Sequence, residues 1–314
     1  MKFGTDGKGG DFIMAECLLS GYTVVMESGG ADRSRGHFQD LRRQVSNPLM
    51  SDFSSDWTLI HEASIHGRQV ALNKLINQGY SVNLTTADQV TPLHEACLGG
   101  HPGCVTILLK HGAQVNIPNI DWKTPIFNAC VSGSVSCVNL LLQHGASPHA
   151  ACDVASPIHE ACKRGHTECV ESLSNAGVSI QQHIRHLGSP LYVACENDKM
   201  DTAKRLLELG ASANAGKDLD SPLHAAARTG NAELVNMLID YGGSTQSKDA
   251  DGKRPAEMVP SHAVLHQLFL KREGPLPLKQ ICRLCIRNCC GQKQQQKICQ
   301  LLLPDTLKQY LLYR

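Results

Sequence analysis

Apolar and polar positions along the chain recur with a fixed period. Two apolar residues close a helix-like run just before a glycine, as at Leu108 and Leu109 before Gly112. A second motif, Ser or Thr followed by an apolar stretch that usually begins with Pro, starts at positions 58, 91, 124, 156, 189 and 221. A degenerate copy with Arg in place of Ser or Thr starts at position 254, and each step along the series is 32 or 33 residues. Because the two features stay in phase, the pattern predicts an internal structural repeat.

Each feature has a local physical meaning. Ser or Thr can cap the start of a helix, and Pro is tolerated at the first helical position, where no backbone donor is needed. Glycine after the second apolar run can adopt the left-handed conformation that ends a helix. The predicted unit is a pair of helices followed by a loop, and such units must stack because one copy cannot bury its apolar face alone. We count six full repeats over about residues 55–246 and a shortened seventh to about residue 271.

The repeat resembles a known family. Leu93 to His101, followed by Gly112 to Asn116, matches the ankyrin repeat almost fully. The resemblance implies an all-α ankyrin-repeat solenoid over residues 54–272. Residues 1–53 show little periodicity and are expected to form a largely flexible N-terminal arm. Residues 273–314 form a third segment of different composition.

Composition narrows the class of protein. The chain has 314 residues, 42% apolar content and a formal net charge of +1, which favours neither nucleic acid nor membrane as a partner. The fourteen cysteines could form disulfides in a secreted protein, but residues 1–10 do not resemble a signal peptide. We therefore expect a cytoplasmic protein with reduced cysteines.

Seven cysteines and four histidines occupy fixed places in the repeat, where other copies carry small residues or aromatic rings. They are Cys97, Cys104, Cys130, Cys137, Cys162, Cys169 and Cys195, with His61, His94, His159 and His224. Residues that recur in phase with a repeat are typical of packing, whereas catalysis requires one residue with particular partners. The alternative is a metal or redox role for the cysteines. No nucleophile–base pair or phosphate loop stands outside the pattern, so we predict no catalytic residue, cofactor or metal.

The last forty residues contain an amphipathic helix. One face carries Leu278, Cys282, Cys285, Ile286 and Cys289, and the Lys and Arg residues of the same helix are expected on solvent-facing sides. So short a segment cannot cover that apolar face, which favours a partner groove. Zinc is an alternative, through Cys282, Cys285, Cys289 and Cys290, but a structural site normally adds a second ligand pair across a loop.

This segment also resembles a SOCS box. Pro277, Leu278, Cys282 and Ile286 match the elongin-binding pattern, and Leu303 with Pro304 matches the start of the cullin-selecting motif. Thr306 stands where the fuller motif has a second proline. The combination resembles the ankyrin-repeat-and-SOCS-box family, which implies a non-catalytic substrate-recognition subunit of an E3 ubiquitin ligase. The implied partners are elongin B, elongin C, and cullin-5 with its RING protein.

Two other functions remain open at this point. The chain could be a plain ankyrin scaffold whose last segment only caps the repeats, or the basic tail could bind nucleic acid, although few aromatic residues accompany its charges. Residues 46–50 and 55–57 are most similar to one member of the family, whose implied target is creatine kinase.

Target recognition should depend on what differs between repeats. Aromatic or charged residues depart from the recurring pattern at five positions, which we predict to bind the target: Trp57, Asp121, Trp122, Phe127 and Tyr192. Aromatic side chains dominate the energies of protein interfaces.

Overall fold

The structure is a computed structural model, and it describes residues 57–150, 152, 155–260, 263–272, 274, 277–290 and 294–313. The N-terminal arm lies outside these residues. Within them the regular secondary structure is helical, apart from two isolated β-bridges, Ile184 to Gly188 and Lys217 to Asp220.

Six repeats each contribute two helices. The first helices are α1 (Leu59–Ile65), α3 (Pro92–Leu98), α5 (Pro125–Ser132), α7 (Pro157–Arg164), α9 (Pro190–Glu196) and α11 (Pro222–Thr229). The second helices are α2 (Gln69–Asn77), α4 (Pro102–Lys110), α6 (Val135–Gln143), α8 (Thr167–Asn175), α10 (Met200–Leu209) and α12 (Ala232–Asp240).

The helix boundaries follow the sequence signals. Thr91 precedes α3 in an extended conformation, and its side chain accepts a hydrogen bond from the backbone N–H of His94. Pro92 then occupies the first helical position. After α4, Gly112 has a φ of +82°, which an L side chain rarely adopts. In this repeat a capping side chain, a proline and a glycine mark where the helices begin and end.

The repeats stack in two rows of helices. First helices pack on the first helices of the next repeat, and second helices pack likewise. One aliphatic residue two positions after each motif start is at most 1% exposed, and these residues form a continuous row: Ile60, Leu93, Ile126, Ile158, Leu191 and Leu223. The predicted ankyrin solenoid is confirmed.

The seventh repeat is shortened, as the sequence indicated. A 3-10 helix, Pro255–Met258, replaces its first helix, and α13 (Val264–Arg272) is its second. Leu265 and Phe269 on α13 are buried and join the core of the stack.

Three further helices follow: α14 (Leu278–Cys290), α15 (Gln294–Gln300) and α16 (Asp305–Leu311). Their own apolar core is small, comprising Ile298, Leu311 and Leu312 with Cys290 and Leu303 packed at its edge. α15 packs on α10, so this helical unit rests on the second helices of the stack.

Candidate protein-binding surfaces

The recurring histidines link neighbouring repeats. His94 Nδ1 accepts a hydrogen bond from the Thr91 N–H at 3.1 Å, and its Nε2 lies 3.1 Å from the Lys123 carbonyl oxygen. Because a carbonyl oxygen can only accept, Nε2 carries the proton and the ring is neutral. Burial lowers the pKa of His94 to about 4, which matches that neutral state.

The other three histidines make the same bond. The ring Nε2 atoms of His61, His159 and His224 lie 3.0 to 3.2 Å from the carbonyls of Val90, Gly188 and Lys253. Each ring thus bonds the backbone of the next repeat, so the recurring histidines have a structural role.

The seven in-phase cysteines are all fully buried. Burial raises the pKa of the Cys169 thiol to about 11 and raises the pKa of the other six. A buried thiol of raised pKa is a poor nucleophile and metal ligand. All cysteines within the described ranges are free, and no cluster that could hold a metal ion occurs there.

The turn before α5 presents Trp122. The side chain of Asn119 accepts hydrogen bonds from the backbone N–H groups of Asp121 and Lys123, at 3.0 and 2.8 Å, and closes a tight loop. Trp122 lies at the tip with a φ of +62° and is 55% exposed. Ile120 beside it is also exposed, so the tip carries two large apolar side chains that no other described residue covers.

The same turn occurs elsewhere without an aromatic residue. In the turn at residues 249–253, Gly252 has a φ of +77° and donates to the Asp249 carbonyl as Trp122 donates to Asn119. In the turn at residues 86–90, the equivalent residue is Gln89, with a φ of +58°. A tryptophan in a place suited to glycine carries a backbone strain of about 1 kcal/mol or more that the fold does not require.

The remaining target-binding candidates divide into two groups. Trp57 is 44% exposed at the start of the stack, with its ring 5.7 Å from that of His61, and Asp121 is exposed beside Trp122. Phe127 and Tyr192 lie in the interior instead, at 7% and 2% exposure, because each occupies the histidine position of its first helix. The Tyr192 hydroxyl donates to Asp220 at 2.7 Å.

Helix α14 has two opposite faces. Leu278 is 76% exposed, and Pro277, Cys282, Cys285, Ile286 and Cys289 are exposed as well. The turn of 100° per residue places Arg287 opposite Leu278. The predicted apolar stripe is thus present on the surface, and no other described part of the chain covers it.

The basic face of α14 is less exposed to solvent than the sequence predicted. Arg287 is 4% exposed, so its predicted solvent-facing position was wrong, and Arg283 is half-buried with its guanidinium 3.5 Å above the Tyr310 ring. Helical periodicity indicates which residues share a face but not which face is covered. The tyrosines that cover these arginines are distant in sequence, so the periodicity of the helix cannot predict the contact.

The two residues of the predicted cullin-binding pair differ in exposure. Leu303 is half-buried against the core around Ile298, whereas Pro304 is exposed. Leu302, which the sequence analysis did not select, is fully exposed.

The fold and its surfaces define a class of protein. A stack of repeats with distinct exposed turns, joined to a small helical unit with an uncovered apolar stripe, is a protein-binding adaptor. None of the helices in the described part of the chain is long and apolar enough to cross a membrane.

Comparison with known proteins identifies both parts. The family model for ankyrin repeats matches residues 37–119, 60–152, 116–184 and 158–250, and the SOCS box model matches residues 274–312. The chain belongs to the ankyrin repeat and SOCS box protein family. Members of this family act as substrate-recognition adaptors in ubiquitin ligases.

Individual relatives are similar over most of their length. Ankyrin repeat and SOCS box protein 9 of Homo sapiens is 65% identical over 271 residues, covering 86% of this chain and 92% of that protein. Protein 5 of Bos taurus is 55% identical over 261 residues, covering 83% and 79%. The crystal structure of the human ASB11 ankyrin repeat domain matches with a TM-score of 0.68 and 48% identity, covering 70% of this chain and all of that one.

Proposed function

We propose that this chain is the substrate-recognition subunit of an elongin–cullin–RING ubiquitin ligase. The SOCS box recruits elongin B and elongin C through Pro277, Leu278, Cys282 and Ile286. The observation that carries the proposal is the orientation of α14, whose opposite face is docked while this stripe is free. The ankyrin repeats hold the target, and partner proteins supply the chemistry by bringing it close to a charged ubiquitin.

The stripe has the properties of a helix that binds in a groove. Leu278 and Ile286 are large apolar side chains in contact with water, and burying them in a partner is favourable by about 25 cal/mol per Å² of apolar surface. The half-buried position of Arg283 and the burial of Arg287 prevent α14 from turning the stripe inward.

Elongin binding is tested by Leu278→Ser, because this exposed side chain contributes little to the fold. We expect co-purification with elongin B and C to be lost and the melting temperature to stay unchanged. Val264→Ser is the matched control, since Val264 is 79% exposed but lies on α13, outside the box. Normal elongin recovery with Leu278→Ser would refute the assignment.

We further propose that residues around Leu303 and Pro304 select cullin-5 with its RING partner. Pro304 is exposed, so Pro304→Ala should weaken cullin-5 capture by the preformed elongin complex while elongin recovery stays normal. Leu303→Ala is less informative, because Leu303 also packs in the small core of the box.

We place the target on the early repeats, at Trp57, Asp121 and Trp122, with creatine kinase as the candidate. The support is the strained, exposed tryptophan tip together with the similarity to protein 9. The buried rings of Phe127 and Tyr192 leave little area for direct contact, so their contribution would be to shape the neighbouring turns. The free thiols suit a reducing compartment, and we therefore place the adaptor in the cytoplasm.

The tryptophan tip allows a clean test. Trp122→Gly removes the aromatic ring and supplies the residue that the same turn carries at Gly252, so the fold should keep its stability. We expect creatine kinase affinity to fall at least tenfold, about 1.4 kcal/mol. Gln89→Gly makes the same backbone change in the neighbouring turn and should leave affinity unchanged. Equal affinities for the two variants would move the target site elsewhere.

A further inference from the structure

The SOCS box is fastened to the ankyrin stack by one buried arginine. The Arg287 guanidinium donates to the Leu311 carbonyl within the box, at 2.8 Å, and to the Leu207 carbonyl in the last turns of α10, at 3.1 Å. The two carbonyls are separated by more than a hundred residues of chain. A single side chain therefore joins the closing helix of the box to the fifth repeat.

Aromatic rings complete the environment of this cation. The Tyr241 and Tyr313 rings stack with centroids 4.0 Å apart, and the Arg287 guanidinium lies 5.0 and 5.2 Å from their centroids. Tyr241 belongs to the stack and Tyr313 to the box, so the ring pair also crosses the junction. Arg283 stacks on Tyr313 from the same helix, at 4.1 Å.

A second set of bonds surrounds the end of α12. The Gln280 side chain donates to the carbonyls of Ile239 and Asp240, at 3.3 and 3.1 Å, and the Tyr313 hydroxyl donates to the Asp240 carbonyl. The last carbonyls of a helix lack donors within the helix, which makes them natural points of attachment. The box thus caps the ends of two second helices, α10 and α12.

The chemistry of this junction suits a role in orienting α14 better than a role in stabilising the fold. Arg287 is 4% exposed, and its guanidinium donates to two carbonyl oxygens instead of pairing with a carboxylate. Burying a cation in this way is costly compared with burying an apolar side chain. A planar guanidinium fixed by two carbonyls and two rings holds a helix against both sliding and rotation. α14 carries this face opposite its elongin-binding stripe, so a rotation of α14 would redirect the stripe.

We propose that Arg287 is a positioning residue, which sets the direction of the elongin-binding stripe relative to the target-binding repeats. The inference rests on the proposed function for its consequence in ubiquitin transfer. The fixed angle between stack and box does not depend on the proposed function. Transfer depends on the reach from the bound target to the charged ubiquitin, so a loosened angle lowers the rate even when both binding surfaces are intact.

The test compares three forms of the full chain, each in complex with elongin B and C. They are the wild type and the variants Arg287→Met and Arg287→Lys. Spin labels on unnatural amino acids at Lys74 and Gln309, both exposed, report the distance distribution between stack and box. Arg287→Met keeps the bulk of the side chain, and we expect it to broaden that distribution. Ubiquitin transfer to purified creatine kinase should fall about tenfold, with elongin and creatine kinase affinities unchanged. Arg287→Lys should restore part of both readouts.

The control is Lys279→Ala, which removes a cation 4.3 Å above the Tyr310 ring within the box but leaves the junction to the stack intact. It should match wild type in both readouts. An unchanged distance distribution in Arg287→Met would overturn the proposal, and so would loss of elongin binding in that variant, which would show a role in folding α14. If wild type fails to bind elongins or creatine kinase, the proposed function is wrong, and the distance distribution of the free chain still decides the positioning role.

Discussion

The ankyrin stack and the SOCS box solve the same problem of burying apolar surface in opposite ways. Most of the buried apolar side chains in the described part of the chain belong to the stack, where each repeat covers the next. The box buries Ile298, Leu311 and Leu312 but leaves Leu278 and Leu302 in water. A repeat is completed by its own copies, whereas the box is completed by the stack on one face and leaves another face open, which we propose is covered by partner proteins.

Thiol reactivity should show the largest difference between the two regions. The stack cysteines such as Cys130 react only through opening of the fold, whereas Cys282, Cys285, Cys289 and Cys299 are exposed. We expect the box thiols to react with a disulfide reagent at least ~10³-fold faster, given the opening free energies typical of protein cores. Mass spectrometry of the labelled peptides measures this. Comparable labelling of Cys130 and Cys282 would contradict the difference in packing.

Truncation of a leucine should lower the free energy of unfolding much more in the stack than in the box. Leu141 is fully buried on α6, so Leu141→Ala should cost roughly 2–5 kcal/mol of unfolding free energy. Leu278→Ala in the free chain should cost less than about 0.5 kcal/mol, because the side chain is exposed. Urea denaturation provides both values. A large loss for Leu278→Ala would mean that the stripe already has a partner within the chain.

The buried histidines should make the stack sensitive to acid. Burial lowers the pKa of His94 and of His159 to about 4, below the 6.5 of an unfolded histidine. Between these values the unfolded state binds more protons, so stability is lost as the pH falls from 6.5 towards 4. We expect a loss of roughly 2–4 kcal/mol between pH 6.5 and pH 5 from the two residues together. A stability curve that is flat over this range would exclude the neutral, bonded histidines.

Glu95 should produce a smaller effect of opposite direction. It is 5% exposed on α3, and burial raises its pKa from 4.5 to about 7. The unfolded state loses its proton first as the pH rises from 4.5 to 7, so this residue lowers stability over that range. Glu95→Gln should raise the unfolding free energy at pH 8 by about 1–3 kcal/mol and change it little at pH 4.5. Glu160→Gln is the control, because Glu160 pairs with Arg164 and its loss should be slightly destabilising.

The sequence by itself determined the repeat, its register and the roles of the residues that recur in it. Pro92, Gly112, Cys97 and His94 act through contacts inside a repeat or with the next one, and a fixed period of 32 or 33 residues brings those partners together at every step. The free stripe at Leu278 also followed from helical spacing, because a segment this short has little chain to cover it.

Only the tertiary structure decided which remaining faces are covered. Arg287 became the fastening of the box because Leu207 and Tyr241, far away in sequence, lie beside it. Phe127 and Tyr192 differ from their repeat neighbours in sequence, but both occupy a position that stacking buries. Periodicity is a local property and reports which side chains share a face, whereas burial depends on what the rest of the chain places against that face.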